Sequence, residues 1–442
     1  MLIFYIKKLF TMKNLLKALF YFFVLIPLAV NAQDNWAVHL KRMPTKGYEG
    51  HKFKLQSMIK VELEDDSAKA LLWTRVDKQN GSIGFFDNME DKPIRNNVWK
   101  NYIIEGIIDE TGVRLNFGIS THYNGTFYCD DLTLDIEIEK GKWVNVFKED
   151  FEQDTVQLKK SLVLNSPDFS AEILKGGMAA NGNGCFKIVG KNVPNYGINK
   201  KVGKYADVNG IKLYYEIYGE GQPLVVLHGN GGSIESASAH YAELIKKYKV
   251  IAIDSRAQGK SSDTDQPLTY DVMASDVNAL LEQLGIDSVN IWGQSDGAIL
   301  GLLLAMDYPK KVRRVLAFGA NIQPDSLAIF SWAINSDLEK IKTTKDDKEK
   351  KLLVLMQNYP NIPYLRLAQI KAPVLIMAGD RDVIRPEHTL KLFQNIPNSQ
   401  MCILPGTTHG ASWNKKELFL QLLYDFFDKP FEMPDIKDWY KN

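Results

Sequence analysis

Residues 289–301 read Val289-Asn290-Ile291-Trp292-Gly293-Gln294-Ser295-Asp296-Gly297-Ala298-Ile299-Leu300-Gly301. The run 289–292 suits a buried strand. Ala298, Gly301 and Ala305 mark the stretch that follows as a helix rich in small residues. Between them stands the pattern G-x-S-x-G, with Ser295 at its centre. A sharp strand-to-helix turn places such a serine at its apex on a strained backbone, where side chains two residues away would clash. The pentad alone is a weak signal, so the residues around it carry the decision.

The same texture extends to both sides. Short apolar runs at 224–228, 250–254, 289–292, 312–318, 374–378 and 401–404 suit a parallel sheet buried on both faces. Helical stretches alternate with them. Met273, Val277, Leu280, Leu281 and Leu284 fall on one helical face, as do Leu418, Phe419, Leu422, Leu423 and Phe426. Asn209-Gly210 between 205–208 and 211–218 predicts a hairpin at the start of this region. Alternating strands and helices predict a doubly wound, mostly parallel α/β domain over 204–430. The interruption at 323–367 is too long for a simple connection and reads as a small helical lid.

A serine hydroxyl at neutral pH needs a base. Downstream of Ser295 only His388 and His409 are available. His388 opens a helix in Pro386-Glu387-His388 and reads as a surface histidine. His409 follows the last strand in Gly406-Thr407-Thr408-His409-Gly410, where a base belongs. The acid comes from Gly379-Asp380-Arg381-Asp382. Asp382 is favoured because the chain needs a few residues to return a carboxylate over the sheet, whereas Asp380 suits turn amides. Asp382 would orient His409 and stabilise its imidazolium. Two backbone N–H groups must face the developing oxyanion. One is expected from Asp296, the other from Asn230 or Gly231 in His228-Gly229-Asn230-Gly231-Gly232. His228 reads as structural. Phe330, Trp332 and Trp413 are candidate pocket residues. No histidine-carboxylate cluster has metal-ligand spacing, and no cofactor is implied.

Upstream, 36–190 is strand-like, with Asn80-Gly81, Asn124-Gly125 and Lys140-Gly141 as turns. Six segments stand out: 53–63, 70–76, 99–108, 113–119, 126–138 and 143–151. They predict a β-sandwich. Trp73, Trp99 and Trp143 read as core rather than as exposed contact residues. Residues 191–203, with Pro194, Gly197 and Gly203, read as a linker.

The first 32 residues read as an export signal. Lys13 and Lys17 precede an apolar run at 19–30, and Val30-Asn31-Ala32 supplies small residues for cleavage. The run is too short for a stable membrane span. An exported protein, periplasmic or secreted, is expected. The chain of 442 residues carries a formal charge of +1, and the prefix holds four lysines and no acid. Its removal leaves a slight acidic excess, which argues against nucleic acid as a partner. Three cysteines, Cys129, Cys185 and Cys402, do not make a disulfide framework, though Cys129 and Cys185 are both upstream and available to pair.

The span 204–427 resembles an α/β-hydrolase throughout. His228-Gly229, Asp254-Ser255-Arg256-Ala257-Gln258-Gly259-Lys260-Ser261, Gly293 to Gly297, Gly379 to Asp382 and His409 follow that family's order. The family often has glycine where Ala257 stands. Gly293 to Gly297, followed by Phe318-Gly319-Ala320-Asn321, is similar to the branch of valacyclovir hydrolase-type enzymes. That resemblance implies esters of small acids, amino-acid esters included, with the Asp296 carboxylate receiving a substrate ammonium. The same residue also reads as a plain helix cap. Serine at 295 argues against the dehalogenases and epoxide hydrolases of the family, which use aspartate there. Leu72-Trp73-Thr74-Arg75-Val76-Asp77, Phe86-Asp87-Asn88-Met89, Trp99 and Asp130-Asp131-Leu132 resemble galactose-binding-like jelly-roll modules, which implies a carbohydrate-binding role for 36–190.

The expected protein is therefore an exported serine hydrolase. It would cleave a carboxylic ester, or an amide in the manner of an aminopeptidase or iminopeptidase, through an acyl-enzyme on Ser295. Its partners would be a small-molecule or acyl-ester substrate and a glycan on the N-terminal module. The alternative is a glycan-binding protein that keeps the fold without turnover. The oligomeric state is open.

Overall fold

The computed structural model describes residues 35–153 and 161–440, without the side chains of 438 and 439. The export signal expected over 1–32 lies outside the described residues.

Among the described residues the N-terminal region is built mainly of strands. Its strands are β1 (Trp36–Pro44), β2 (Lys52–Leu63), β3 (Lys69–Lys78), β4 (Ile83–Asp87), β5 (Lys100–Ile107), β6 (Gly112–His122), β7 (Gly125–Glu139), β8 (Lys142–Glu149), β9 (Leu162–Leu164), β10 (Phe169–Lys175) and β11 (Gly184–Gly190). They form two antiparallel sheets, ordered β4-β3-β6-β1-β9 and β10-β11-β7-β2-β5, with β8 added on β7. Burial alternates along β2 from Phe53 to Val61, as one solvated and one packed face require. Leu72, Leu115 and Phe117 of one sheet share a core with Phe53, Leu55 and Ile136 of the other.

Trp73 and Trp99, expected in the core, are only half-buried and lie outside the cluster of buried residues, and Trp143 departs further. Trp143 is 38% exposed, and the Lys54 ammonium lies 5.0 Å from its ring centre. It stands on the outer face of its sheet because β8 is an added strand whose residues 142–146 are exposed or half-buried. Cys129 and Cys185 are free thiols on the adjacent strands β7 and β11.

Residues 191–203 are not a free tether. Asn124 bonds both the N–H and the carbonyl of Val193. The fully buried Glu216 carboxylate then receives the N–H groups of Gly197 and Asn199 and the hydroxyls of Tyr214 and Tyr218, at 2.6–3.0 Å. Four donors offset the cost of burying that charge.

The C-terminal half is built on one eight-stranded sheet. Its strands are β12 (Lys204–Val208), β13 (Ile211–Tyr218), β14 (Gln222–Leu227), β15 (Tyr248–Ile253), β16 (Val289–Gln294), β17 (Val312–Phe318), β18 (Val374–Gly379) and β19 (Ser399–Leu404). Their order is β12-β13-β15-β14-β16-β17-β18-β19. The hairpin β12–β13 is antiparallel and β15 to β19 are parallel. Strand residues alternate between two cores. Val225, Leu227, Ile251 and Ile253 face one side, and Leu224, Val226, Val250 and Ala252 the other.

The chain leaves β14 for β15 on one side and returns to β16 on the other. That reversal makes β14/β16 the switch point, where the loops after the two strands open a crevice. The helix Lys416–Asp428 buries Phe419, Leu420, Leu423, Phe426 and Phe427, whereas Leu418 is 40% exposed. Its apolar face is thus rotated slightly from the expected one.

The run after β15 is a clamp. Asp254 accepts the N–H groups of Ile234 and Lys260, both at 2.7 Å. Arg256 grips Asp276 through two bonds at 2.6 and 2.7 Å, and both side chains are buried. Asp276→Ala leaves that guanidinium buried without its charge partner. A loss of about 3–5 kcal/mol is expected, read as a lower denaturant midpoint for the whole chain. Ala257 sits at φ 64°, which explains why glycine suits this position.

The segment expected to be a lid contains the helices Ser331–Thr343, Asp347–Asn358 and Tyr364–Leu367. The second buries Leu352, Leu353 and Leu355, while the first has no buried residue. His388, expected at the surface, is fully buried. It accepts the Ile322 N–H at Nε2 and lies 3.0 Å from the Tyr364 hydroxyl at Nδ1, so it anchors both ends of the lid. Burial pushes its pKa down to about 4.

Candidate active site

Ser295 stands at the end of β16 and opens the helix Asp296–Asp307. Its backbone has φ 53° and ψ −116°, a conformation costing roughly 1–3 kcal/mol. The surroundings hold it there. Its N–H donates to Phe318 O at 2.8 Å, and its carbonyl accepts from Ala298 and Ile299. A Cβ on Gly297 would lie 2.1 Å from the Leu227 carbonyl oxygen, so only glycine lets this helix seat against β14.

His409 and Asp382 meet above the neighbouring strands. His409 Nδ1 lies 2.6 Å from Asp382 Oδ1, and the Asp382 side chain is fully buried. Ile384 N–H also donates to Oδ1, at 3.0 Å. Asp380 instead receives the Thr407 N–H at 3.0 Å, and bonds from the Gly406 and Thr407 amides hold its carboxyl below the usual range. The two aspartates thus have different neighbours, and only Asp382 touches His409 among the described residues.

Ser295 and His409 line the same cavities, although no hydrogen bond joins them among the described residues. Catalytic hydrogen bonds commonly tighten only once substrate is bound.

The loop after β14 passes beside the serine. A Cβ on Gly229 would lie 3.1 Å from Ser295 Cβ. The sequence offers both Asn230 and Gly231 as the second oxyanion donor. Gly231 is removed from that role, because its N–H is already given to Gln258 Oε1 at 2.6 Å. The amides of Asn230 and Asp296 have no protein acceptor among the described residues. His228 shapes this loop as a neutral ring. Its Nε2 accepts the Ser255 N–H at 3.0 Å and its Nδ1 lies 2.7 Å from the Gly229 carbonyl. Burial lowers its pKa.

Asp296 is more than a helix cap. Its side chain is buried, with Oδ1 bonded to the Tyr270 hydroxyl and Oδ2 to the Asn230 carboxamide, both at 2.9 Å. Burial pushes its pKa up to about 6.

Two cavities meet at Ser295 and His409. The outer one, about 760 Å³, is lined by Gly229, Asn230, Leu352, Met356 and Trp413 among others. The inner one, about 260 Å³, is lined by Tyr270, Asp296, Asn321, Trp332 and the lid residue Asp337. Trp413 lines the outer cavity and Trp332, 63% exposed, the inner one. Phe330 does not line either cavity. Its ring lies under Arg385, 5.1 Å from the guanidinium carbon, because the chain there is stitched to the loop after β18 through Val383.

Sequence reasoning passed over three contributors. Gly319, at φ 64°, lies against the histidine: a Cβ there would fall 2.5 Å from His409 Cε1. Gln294 Nε2 donates to the His409 carbonyl at 2.8 Å. Gln258 fixes Gly231. All three stand within motif runs, 318–321, 293–297 and 254–261, but no local pattern names their distant partners.

A family model for the alpha/beta hydrolase fold matches residues 222–346. Serine hydrolase BPHL of Mus musculus is 28% identical over 246 residues, covering 50% of this chain and 84% of that protein. The 2-hydroxy-6-oxo-6-phenylhexa-2,4-dienoate hydrolase of Burkholderia cepacia is 24% identical over 266 residues, covering 50% and 92%. Among solved structures, the enol-lactonase from Burkholderia xenovorans LB400 aligns over 51% of this chain and 100% of its own, at 21% identity and a TM-score of 0.47. The C-terminal half of this chain has the α/β-hydrolase fold. The curated relatives matched there are hydrolases.

Proposed function

We propose that the protein is an exported serine hydrolase of carboxylic esters, with Ser295, His409 and Asp382 as its triad. The observation that carries this reading is the 2.6 Å His409–Asp382 contact at a cavity shared with a serine on a strained turn. His409 Nε2 takes the Ser295 proton as Oγ attacks the ester carbonyl. The N–H groups of Asn230 and Asp296 receive the oxyanion. His409 then protonates the departing alcohol, and water, deprotonated by His409, releases the acid from Ser295. The test is labelling by a fluorophosphonate probe together with turnover of a panel of p-nitrophenyl esters and aminoacyl amides. A chain that neither labels nor turns over any of them, beside a reactive control esterase, sinks the proposal. Turnover of the amides alone would support a peptidase.

The Asp296 carboxylate in the inner cavity favours an acyl group bearing an ammonium. Below about pH 6 its carboxyl is neutral, and above that it is charged. Only the charged form attracts an ammonium strongly. The preference for an aminoacyl ester over its neutral analogue is therefore expected to rise with pH through about 6. In Asp296→Asn that preference should fall by about 10–100-fold and lose its pH dependence. An unchanged ratio in the kcat/KM comparison would refute the assignment.

The exposed Trp143 beside Lys54 supports a second part of the proposal. Residues 36–190 would be a jelly-roll module whose outer sheet face contacts a glycan by stacking. Glycan-array binding that disappears in Trp143→Ala tests it.

A further inference from the structure

Asn230 serves two neighbours at once. Its backbone N–H is free of protein acceptors among the described residues. Its carboxamide Nδ2 donates to Asp296 Oδ2 at 2.9 Å and to the Leu352 carbonyl at 3.3 Å. A carboxamide has two N–H donors, and here each has an acceptor. Asp296 is the residue whose amide forms the other half of the proposed oxyanion site. Leu352 belongs to the docked lid helix Asp347–Asn358 and is buried. One side chain thereby joins the loop after β14, the helix that follows the serine, and the lid.

The loop needs such a tie. Gly229, Gly231 and Gly232 surround Asn230, and Gly231 adopts φ 69°, so the backbone has unusual freedom. Gln258 and His228 restrain the loop from the side of β15. Among the described residues, only the Asn230 carboxamide bonds this loop to the Asp296 side chain and to the lid. Oxyanion donors lose most of their effect when displaced by a fraction of an ångström, because their value lies in being aimed beforehand.

We propose that Asn230 is a positioning residue whose side chain holds the two oxyanion amides in register and makes that register depend on the seated lid. This rests on the reading of Ser295 as nucleophile. Lid displacement breaks the bond to Leu352 and leaves one carboxamide hydrogen unpaired. The loop then loses a restraint at the moment the site opens to water, so hydrolytic power is highest with the lid down.

The test uses the full chain, p-nitrophenyl acetate and the fluorophosphonate rate of Ser295 labelling. Asn230→Ala is expected to lower kcat and the labelling rate by about 10–100-fold, with KM within about twofold. Asn230→Asp sets two carboxylates together, which raises their pKa and lets them share a proton at low pH. Its activity relative to the parent protein should therefore climb as pH falls, a trend that a merely structural defect would not produce. A parent-like kcat in a folded Asn230→Ala, or a pH-independent ratio for Asn230→Asp, overturns the proposal. Either variant alone suffices if the other fails to fold. A parent protein that does not label overturns the nucleophile reading, and this inference with it. A labelled parent with unaffected variants overturns this inference alone.

Discussion

Ser295→Ala is expected to abolish ester turnover, with a loss on the order of 10⁴–10⁶-fold in kcat and no fluorophosphonate adduct. Alanine keeps the turn and removes the attacking oxygen, so circular dichroism and the thermal midpoint should stay close to those of the parent. Ser295→Gly sharpens the point. Glycine adopts φ 53° without a Cβ penalty, so this variant should be inactive yet more stable than Ser295→Ala by about 1 kcal/mol. Residual activity within tenfold of the parent would move the nucleophile elsewhere. Glycine and alanine variants of equal stability would mean that the turn stores no strain.

The second large effect separates the two aspartates. Asp382→Asn is expected to lower kcat by roughly 10⁴-fold. The amide removes the negative charge that steadies the imidazolium. In either orientation its NH₂ also confronts a backbone N–H, that of Gly379 or Ile384, which the carboxylate now accepts. Asp380→Asn should cost less than about tenfold, because Asn can still accept the Thr407 N–H that Asp380 holds at 3.0 Å. Equal losses from the two variants, measured as kcat on one ester, would undo the assignment of roles.

Much of the C-terminal half was legible because its signals are local. A parallel sheet buried on both faces needs continuous apolar runs, and all six expected runs coincide with β14 to β19 within a few residues. The turn at Ser295 announces itself through glycines whose space is taken by the backbone of β14 and by the helix itself. What escaped depends on partners far away in sequence. His388 reads as a surface residue until Ile322 and Tyr364 close over it. Gly231 reads as equivalent to Asn230 until Gln258 arrives from the end of β15.

The N-terminal half was legible in kind and less so in detail. β1 carries His39, Lys41 and Arg42, and β4 and β9 are five and three residues long. Edge and charged strands show too little alternation to be picked out one by one. The docking of the linker 191–203 escapes for a related reason. Proline and glycine mark a break in regular structure, but attachment there comes from Glu216 in β13, which composition does not reveal.

Gln294 has a mechanical consequence. It is the residue before Ser295, and its carboxamide holds the carbonyl of His409 at 2.8 Å. The same histidine loop is fastened to the turn after β18, where the Arg381 N–H meets the Thr407 carbonyl at 2.8 Å. The three residues of the proposed triad are thus bolted to one bench. A shift of one of these segments would be passed to the others through these bonds, so the distances between the three residues would change less than their positions. What the chemistry feels is the small remainder.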